Sequence, residues 1–251
     1  MKILCCVPVK SGSTRFPKKC FADFYGRPMM WWTYQQAKKV AEFSDVVLVT
    51  PDDDVIEVCE KLGMKWLKAS GKGKNGTNDI AEVAMQNPAD LYVDVQGDEP
   101  IMEPEVIRAI IPPFEKDPEL KVANLMTPIT DPVEVVNNSI PKVITNSANR
   151  CLFMTRSPCP NPKASIEYTF FKQTCIYGFR IEALEFFLKT PKGKMELIED
   201  IELLRFVENG WPLQMVEVNA KSIAVDTKND YEKVLKVMKE KIDSGEMKKP
   251  E

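Results

Sequence analysis

Short apolar runs alternate with longer patterns of helical periodicity through the first half of the chain. Strands are predicted where apolar runs are bounded by turn residues, at 3–8, 45–50 and 89–96. Helices are predicted where apolar residues recur every three or four positions, at 28–43, 53–63 and 77–86. Pro28 suits the start of the first helix, and Thr77 or Asn78 can cap the third. This alternation is typical of an α/β fold with a mostly parallel sheet covered by helices.

The pattern changes after Pro104, which suits the start of a helix over 105–116. Extended segments follow at 121–129, 141–146, 149–156 and 173–180, with a proline-rich stretch at 157–163 between the last two. We interpret them as strands that extend the sheet plus an inserted arm. The remaining elements are predicted as helices at 181–190, 195–210 and 229–242, with strands at 213–218 and 222–226. One domain over 1–244 is expected, with about 125–175 as an inserted sub-domain and 245–251 as a flexible tail.

Composition narrows the class of protein. The 251 residues, 44% of them apolar, are enough for one large domain with a buried core, and the net charge of −3 disfavours a nucleic-acid partner. No apolar run approaches the roughly 18 residues of a membrane span, and none resembles a signal peptide, so we expect a cytoplasmic protein. The seven cysteines are scattered without a CxxC pair and there is no histidine, so chemistry must rely on carboxylates, cations and hard metals.

The loop PVKSGSTRFPKK at 8–19 is the first candidate for a binding site, because it follows a predicted strand. Lys10, Arg15 and Lys19 supply positive charge, while Ser11 to Ser13 are small enough to expose backbone N–H groups to an anion. The loop lacks the spacing of GxxxxGK[ST] and of GxGxxG, so neither an ATPase loop nor a dinucleotide site is indicated. The alternative is a solvated loop whose cations face water.

Carboxylates follow two other predicted strands. Asp98, in QGDEP, and Asp226, in VDT, can join phosphate oxygens and water in binding Mg²⁺. The alternatives are a hydrogen-bonded turn for Asp98 and a helix cap for Asp226. Arg156 can pair with a substrate carboxylate or form a surface salt bridge, and Tyr177 suits packing in the core or an interface.

Taken together, these motifs resemble one family over residues 3 to about 238. The matching segments, in chain order, are PVKSGSTRFPKK, GRPMM, TPDDDV, GTNDIAEV, VQGDEP, PKV, FMTRSPCP, CIYGFR, MELIEDIELLR and AVDTKNDYEKV. The sequence is similar to the 3-deoxy-manno-octulosonate (Kdo) cytidylyltransferases, or CMP-Kdo synthetases. The resemblance implies a Rossmann-like, mainly parallel sheet with helices on both faces, of the nucleotide-diphospho-sugar transferase type, with a dimerisation arm and a homodimeric state.

The resemblance also implies that CTP and a sugar acid react to give a CMP-sugar and pyrophosphate with Mg²⁺, for lipopolysaccharide or surface polysaccharide synthesis. The nucleotide-binding residues it implies are Lys10, Ser13, Arg15, Lys19, Thr50, Asp52, Gly76, Thr77, Asn78 and Asp98. It places Lys19, Arg15 and Asp98 in catalysis and Asp98 and Asp226 at the metal. The sugar-binding residues it implies are Gln96, Arg156, Gln173, Tyr177, Glu196 and Glu199.

Four positions depart from the family pattern. Lys10 and Asn78 replace an arginine and a charged residue on the nucleotide side, and Gln173 and Leu203 replace a histidine and a glutamine on the sugar side. The acceptor is therefore expected to be Kdo or a close relative, such as 8-amino-Kdo. Two alternatives remain open: a same-fold nucleotidyltransferase for another acceptor, such as a sialic-acid-like sugar, and a catalytically silent nucleotide-binding protein.

Overall fold

The computed structural model describes residues 1–73, 75–164, 167–221, 223–248 and 250. The strands are β1 Ile3–Pro8, β2 Asp23–Phe24, β3 Arg27–Pro28, β4 Asp45–Thr50, β5 Trp66–Lys68, β6 Leu91–Val95, β7 Val122–Pro128, β8 Lys142–Thr145, β9 Cys151–Thr155, β10 Phe171–Phe179 and β11 Gln214–Glu217. The α-helices are α1 Met29–Lys38, α2 Asp53–Lys61, α3 Gly76–Ala84, α4 Pro104–Arg108, α5 Pro112–Lys116, α6 Pro132–Val136, α7 Ile181–Lys189, α8 Lys194–Glu199, α9 Leu204–Glu208 and α10 Lys228–Asp243. None of the helices within these ranges is long and apolar enough to cross a membrane.

Nine strands form one sheet, and seven of them follow the order β11-β7-β10-β6-β1-β4-β5. The pairs β1–β4, β1–β6, β4–β5 and β7–β11 are parallel, whereas β10 runs antiparallel to β6 and β7. Residues Ile3–Pro8 of β1 are all buried because side chains on both faces pack against helices. The expected mixed, mainly parallel α/β sheet is confirmed.

The carboxyl ends of β1 and β6 lie close together and create the floor of a crevice. A Cβ atom at Gly97, just beyond β6, would lie 2.8 Å from the carbonyl oxygen of Pro8 at the end of β1. Only a residue without a side chain permits this approach. Thr33 of α1 holds the same turn by donating its hydroxyl to the Gly97 carbonyl, at 3.1 Å.

An arm extends from the sheet where β8 pairs with β10 and β9 pairs with β8, both antiparallel. The short helix α6 lies before β8, and Glu134 in it accepts a salt bridge from Lys172 of β10 at 2.7 Å. The segment 157–163 has no regular secondary structure, as its prolines indicate.

The helix predicted over 195–210 is wrong as a single element. It is divided into α8 and α9 at Asp200, whose φ of 51° lies in the left-handed region. The predicted strand at 222–226 is also wrong for 223–226, which have no strand, and Ser222 lies outside the described residues. The first helix ends at Lys38 rather than at 43.

The hairpin β2–β3, strand β5 and helix α6 were not predicted. The hairpin docks on the last helix, because Tyr25 donates to the carbonyl of Leu235 and Tyr231 donates to that of Asp23. In the expected tail, Met247 is buried and its N–H donates to the Lys241 carbonyl, while residues 249 and 251 lie outside the described residues.

Candidate active site

A cavity of about 500 Å³ opens where the carboxyl ends of β1 and β6 meet. Eight of the predicted site residues line it, namely Lys10, Ser13, Arg15, Lys19, Gly76, Gln96, Asp98 and Asp226. The loops after parallel strands of an open α/β sheet are the usual place for ligands, because the strand order changes there. The structure therefore brings these eight residues together at one crevice.

Lys19 lies at the centre of the charged groups. Its Nζ is 2.8 Å from Asp98 Oδ2 and 2.9 Å from Asp226 Oδ1, and it donates to the carbonyl of Val225 at 2.9 Å. Arg15 Nη2 pairs with the other oxygen of Asp226 at 3.0 Å. Burial alone would lower the pKa of Lys19, but the two carboxylates outweigh it and raise that pKa. Burial likewise opposes ionisation of Asp226, and the two cations hold its pKa below the usual value.

The side chain of Lys10 is held in place by a buried carboxylate. Its Nζ is 2.8 Å from Asp79 Oδ2 and donates to the Gly73 carbonyl at 3.1 Å, and Asp79 is 1% exposed. Burial raises the pKa of Asp79, while Lys10 lowers it. An ammonium group has three N–H donors. Among the described residues it donates one hydrogen bond, to Gly73, and forms an ion pair with Asp79, so at least one N–H of Lys10 remains available to a ligand.

Thr50 and Asp52 do not line the cavity. The carboxylate of Asp52 accepts hydrogen bonds from the N–H and hydroxyl of Ser11, at 2.7 and 3.2 Å. Thr50 is buried, and its hydroxyl accepts from the Asp52 N–H at 3.1 Å. The two residues therefore brace the basic loop from the end of β4.

The amino end of α3 borders the cavity at Gly76. The predicted caps, Thr77 and Asn78, are wrong, because Asn75 is the N-cap and its side chain accepts from the Asn78 N–H at 2.9 Å. The Thr77 N–H donates instead to Glu202 at 3.2 Å. A Cβ atom at Gly76 would lie 3.1 Å from Pro8, so the helix packs closely against the end of β1.

Two acidic residues, Asp200 and Glu202, also line the cavity and are called the acidic wall here. Gln96, in the same lining, donates to both oxygens of the buried Asp94 at 2.9 Å. Burial and the neighbouring Glu202 raise the pKa of Asp94 well above its usual value, and burial also raises that of Glu202. Tyr177 is buried next to both carboxylates, and burial raises its pKa.

The predicted sugar-binding residues Arg156, Glu199 and Glu196 do not line the cavity. Arg156 donates to the carbonyls of Asn138, Ser139, Glu199 and Asp200. Glu199 accepts from the Thr155 hydroxyl at 2.6 Å and the Arg156 N–H at 2.8 Å. Glu196 is 1% exposed and pairs with Arg205 through both oxygens, at 2.6 and 2.7 Å.

Gln173 lies on β10 opposite Met126 of β7, and its N–H donates to the Pro141 carbonyl at 3.0 Å. It is half-buried at the base of the arm.

Sequence reasoning missed four acidic residues that line the crevice or contact its lining, namely Asp79, Asp94, Asp200 and Glu202. Asp94 and Asp79 carry carboxylates inside predicted elements, where apolar side chains are expected. Glu202 continues the three-residue spacing of Glu196 and Glu199 and was therefore detectable. Because the helix is broken at Asp200, Glu202 borders the cavity, whereas Glu196 and Glu199 do not.

The chain is similar to known proteins over nearly its whole length. A family profile described as "Cytidylyltransferase" matches residues 4–229. The 3-deoxy-manno-octulosonate cytidylyltransferase of Chloroherpeton thalassium is 36% identical and covers 96% of this chain and 100% of its own length. The enzyme of the same name from Geobacter sulfurreducens is 34% identical, with coverages of 95% and 100%.

A solved structure has a fold similar to that of this chain. It is that of a CMP:2-keto-3-deoxy-manno-octonic acid synthetase complexed with CTP, with a TM-score of 0.91 and 30% identity. The match covers 96% of this chain and 100% of that one.

Proposed function

Because the chain belongs to the 3-deoxy-manno-octulosonate cytidylyltransferase family, we propose that it transfers CMP from CTP to Kdo or a close relative. In this reaction the anomeric oxygen of the sugar acid forms a bond to the α-phosphorus and releases its proton to water, while the bond from the α-phosphorus to the departing pyrophosphate breaks. The observation that carries the proposal is the cavity in which Lys10, Arg15 and Lys19 lie next to Asp98 and Asp226. This arrangement of cations and carboxylates suits the binding of a triphosphate together with a metal ion.

The roles on the nucleotide side follow from these positions. Lys10, Ser13, Arg15 and Lys19 would bind the triphosphate and the departing pyrophosphate, whose negative charge needs neutralising. Gly76 and the amino end of α3 would lie next to the nucleotide, where exposed N–H groups favour an anion. Thr50 and Asp52 would act indirectly by bracing the basic loop at Ser11.

CTP-binding nucleotidyltransferases generally use a divalent metal, and we propose Mg²⁺ held by Asp98 and Asp226. The donor set fits, because one oxygen of each carboxylate lies within 2.9 Å of a single point, the Nζ of Lys19. Mg²⁺ is usually bound by one or two carboxylates, phosphate oxygens and water. No cluster of three or more acidic or cysteine side chains suited to a metal occurs among the described residues, so the triphosphate would complete the coordination. When bound, Mg²⁺ would neutralise phosphate charge and acidify the attacking hydroxyl.

The sugar acid would bind beyond Gln96, next to Asp200 and Glu202. This acidic wall favours a second candidate acceptor, the amino-substituted sugar, because an ammonium group would be attracted by two carboxylates. Five other residues would support this side of the site from behind the cavity wall and would not contact the sugar, namely Arg156, Gln173, Tyr177, Glu196 and Glu199. Arg156 in particular already donates to four carbonyls.

We further propose that the arm at about 125–175 makes the chain a homodimer. It carries exposed apolar side chains, namely Val133, Val136 and Leu152, each more than half exposed. Residues 1–244 would form a single domain, since one sheet joins both ends of the chain. All seven cysteines are free, which suits action in the reducing cytoplasm.

The central experiment follows pyrophosphate release from CTP, Mg²⁺ and a panel of acceptors: Kdo, 8-amino-Kdo and a sialic acid. We expect Asp98→Asn and Asp226→Asn each to lower kcat by at least about 100-fold, because each removes one of two metal carboxylates. Asp53→Asn is the matched control, since Asp53 is exposed and lies at the start of α2, and its activity should equal that of the wild type.

Wild-type activity in both site variants would contradict the assignment of the two aspartates. Binding of CTP without turnover of any acceptor would favour the silent nucleotide-binding protein. A higher kcat/KM for the sialic acid than for either octulosonate would favour the other-acceptor alternative.

A further inference from the structure

The ammonium of Lys19 occupies the position at which the two aspartates converge. Its three N–H donors are matched by three oxygens, from Asp98 at 2.8 Å, Asp226 at 2.9 Å and the carbonyl of Val225 at 2.9 Å. A lysine ammonium has three donors and no more. Lys19 therefore has none left for a phosphate while this arrangement persists.

The three oxygens around Lys19 are also the kind that a hard cation prefers. Two are carboxylate oxygens and one is a backbone carbonyl, and all are directed at one point. A divalent cation held by the same oxygens would lie close to the Lys19 ammonium and would repel it strongly. The ammonium and the metal are thus alternative occupants of one position.

We propose that Lys19 acts as an internal substitute for the metal, so that the metal can enter only when a triphosphate draws the ammonium away. In the nucleotide-free enzyme Lys19 neutralises Asp98 and Asp226 and keeps them together. A triphosphate offers the ammonium new acceptors and brings phosphate oxygens as further metal ligands. Metal and nucleotide then bind together, and the metal alone binds weakly. This inference rests on the proposed function, because it takes Asp98 and Asp226 as the metal carboxylates.

Lys10 provides the contrast within the same cavity. Its Nζ forms an ion pair with Asp79 and donates to the Gly73 carbonyl and, among the described residues, keeps at least one donor for a ligand. Lys10 can therefore bind the triphosphate first, without rearrangement, while Lys19 must exchange partners. The two lysines differ in role although both belong to the basic loop.

The test measures Mn²⁺ binding to the full-length, chelator-treated protein by electron paramagnetic resonance, without nucleotide. Lys19→Met should bind Mn²⁺ at least about tenfold more tightly than the wild type, since it removes the competing charge. The double variant Lys19→Met/Asp98→Asn should lose that gain. Lys65→Met is the matched control, because Lys65 also pairs with an aspartate, Asp45, but lies outside the cavity, and it should bind Mn²⁺ as the wild type does.

Equal Mn²⁺ affinity in the wild type and Lys19→Met would overturn the inference. If Lys19→Met does not fold, as judged by circular dichroism, Lys19→Gln takes its place, because its neutral amide can still donate to one carboxylate. A gain in Lys19→Gln supports the inference and no gain overturns it.

A second experiment tests this inference separately from the proposed function. Water-proton relaxation distinguishes Mn²⁺ in a slowly tumbling ternary complex from Mn²⁺ on free nucleotide. With cytidine 5′-(α,β-methylene)triphosphate, the wild type should form a ternary complex that Asp98→Asn does not form. Absence of this Asp98-dependent complex would contradict the proposed metal carboxylates, whereas its presence together with tight binding of Mn²⁺ alone would overturn only the role given to Lys19.

Discussion

At the scale of single residues, the site depends on buried charges that hold the binding charges in place. Asp79 is 1% exposed and 2.8 Å from Lys10, so an acidic group inside α3 fixes the direction of a flexible cation at the surface of the cavity. A lysine side chain loses considerable conformational entropy when it is ordered. The pair with Asp79 orders Lys10 before the nucleotide binds, which favours binding.

We expect Asp79→Asn to raise the KM for CTP about tenfold with little change in kcat. The substitution keeps the size of the side chain but removes the charge that anchors Lys10, and an ammonium that binds the triphosphate equally in the ground and transition states affects mainly KM. Steady-state kinetics with varied CTP checks this.

Glu60→Gln is the control for Asp79→Asn, because Glu60 is exposed on α2. A fall in kcat as large as the fall in kcat/KM would contradict the expectation, and it would assign Asp79 to the chemical step.

The residues found from sequence and those missed differ in one physical respect. Asp98 and the basic loop come directly after β6 and β1, so chain order alone places them at the crevice, whereas Asp226 follows a segment that the sequence wrongly predicted as a strand. Asp94 and Asp79 lie within elements, and their role depends on partners brought in by folding. The family resemblance predicted that Lys19 binds the triphosphate. The spacing of residues along the chain could not predict that Lys19 contacts both aspartates.

At the scale of elements, the break between α8 and α9 is stabilised by a buried ion pair. Arg205 of α9 is 3% exposed and pairs with Glu196 of α8 through both oxygens, and it also donates to the carbonyls of Phe187 and Thr190 at the end of α7. Its guanidinium lies 3.6 Å from the centroid of the Phe187 ring. One arginine thus joins three helices next to the acidic wall.

Glu196→Ala should lower the free energy of unfolding by about 3 kcal/mol, because it leaves the Arg205 charge buried without its partner. Glu185→Ala, which removes an exposed i,i+4 pair with Lys189, should cost about 0.5 kcal/mol or less. Urea denaturation followed by circular dichroism measures both. Equal effects of the two substitutions would contradict a structural role for Glu196.

The same region shows what periodicity cannot predict. Residues 195–210 have continuous helical spacing, and the break arises from the left-handed backbone of Asp200 and from contacts with α7 and the arm. The local sequence pattern carries no information about these contacts, because they are made between residues far apart in the chain. The short strands β2, β3 and β5 were missed for a related reason, since two or three residues are too few for a period to show.

At the scale of the whole molecule, the sheet was predicted well because its parallel strands are nearly continuous apolar runs. The sub-domain at about 125–175 stays a prediction, made from the change of pattern after Pro104 and from the proline-rich stretch within it. The assembly of the molecule remains a proposal, which the exposed apolar side chains of the arm support.

Leu152→Glu should convert the proposed dimer to a monomer, because a buried, unpaired carboxylate at an interface is costly. Light scattering after size-exclusion chromatography gives the mass of the particle in solution. Met85→Glu is the matched control, since Met85 is exposed but lies at the end of α3, outside the arm. A wild type of monomer mass would rule out the dimer.

The partners of Lys19 have a consequence for the way the protein is made. Asp98 lies 79 positions further along the chain and Asp226 lies 207 positions further. During synthesis the amino-terminal strands can pair long before the ribosome has produced Asp226, and such distant contacts close late. A nascent or prematurely terminated chain therefore contains most of the sheet but not the second acidic partner of Lys19, so an incomplete enzyme lacks the site in which CTP would react.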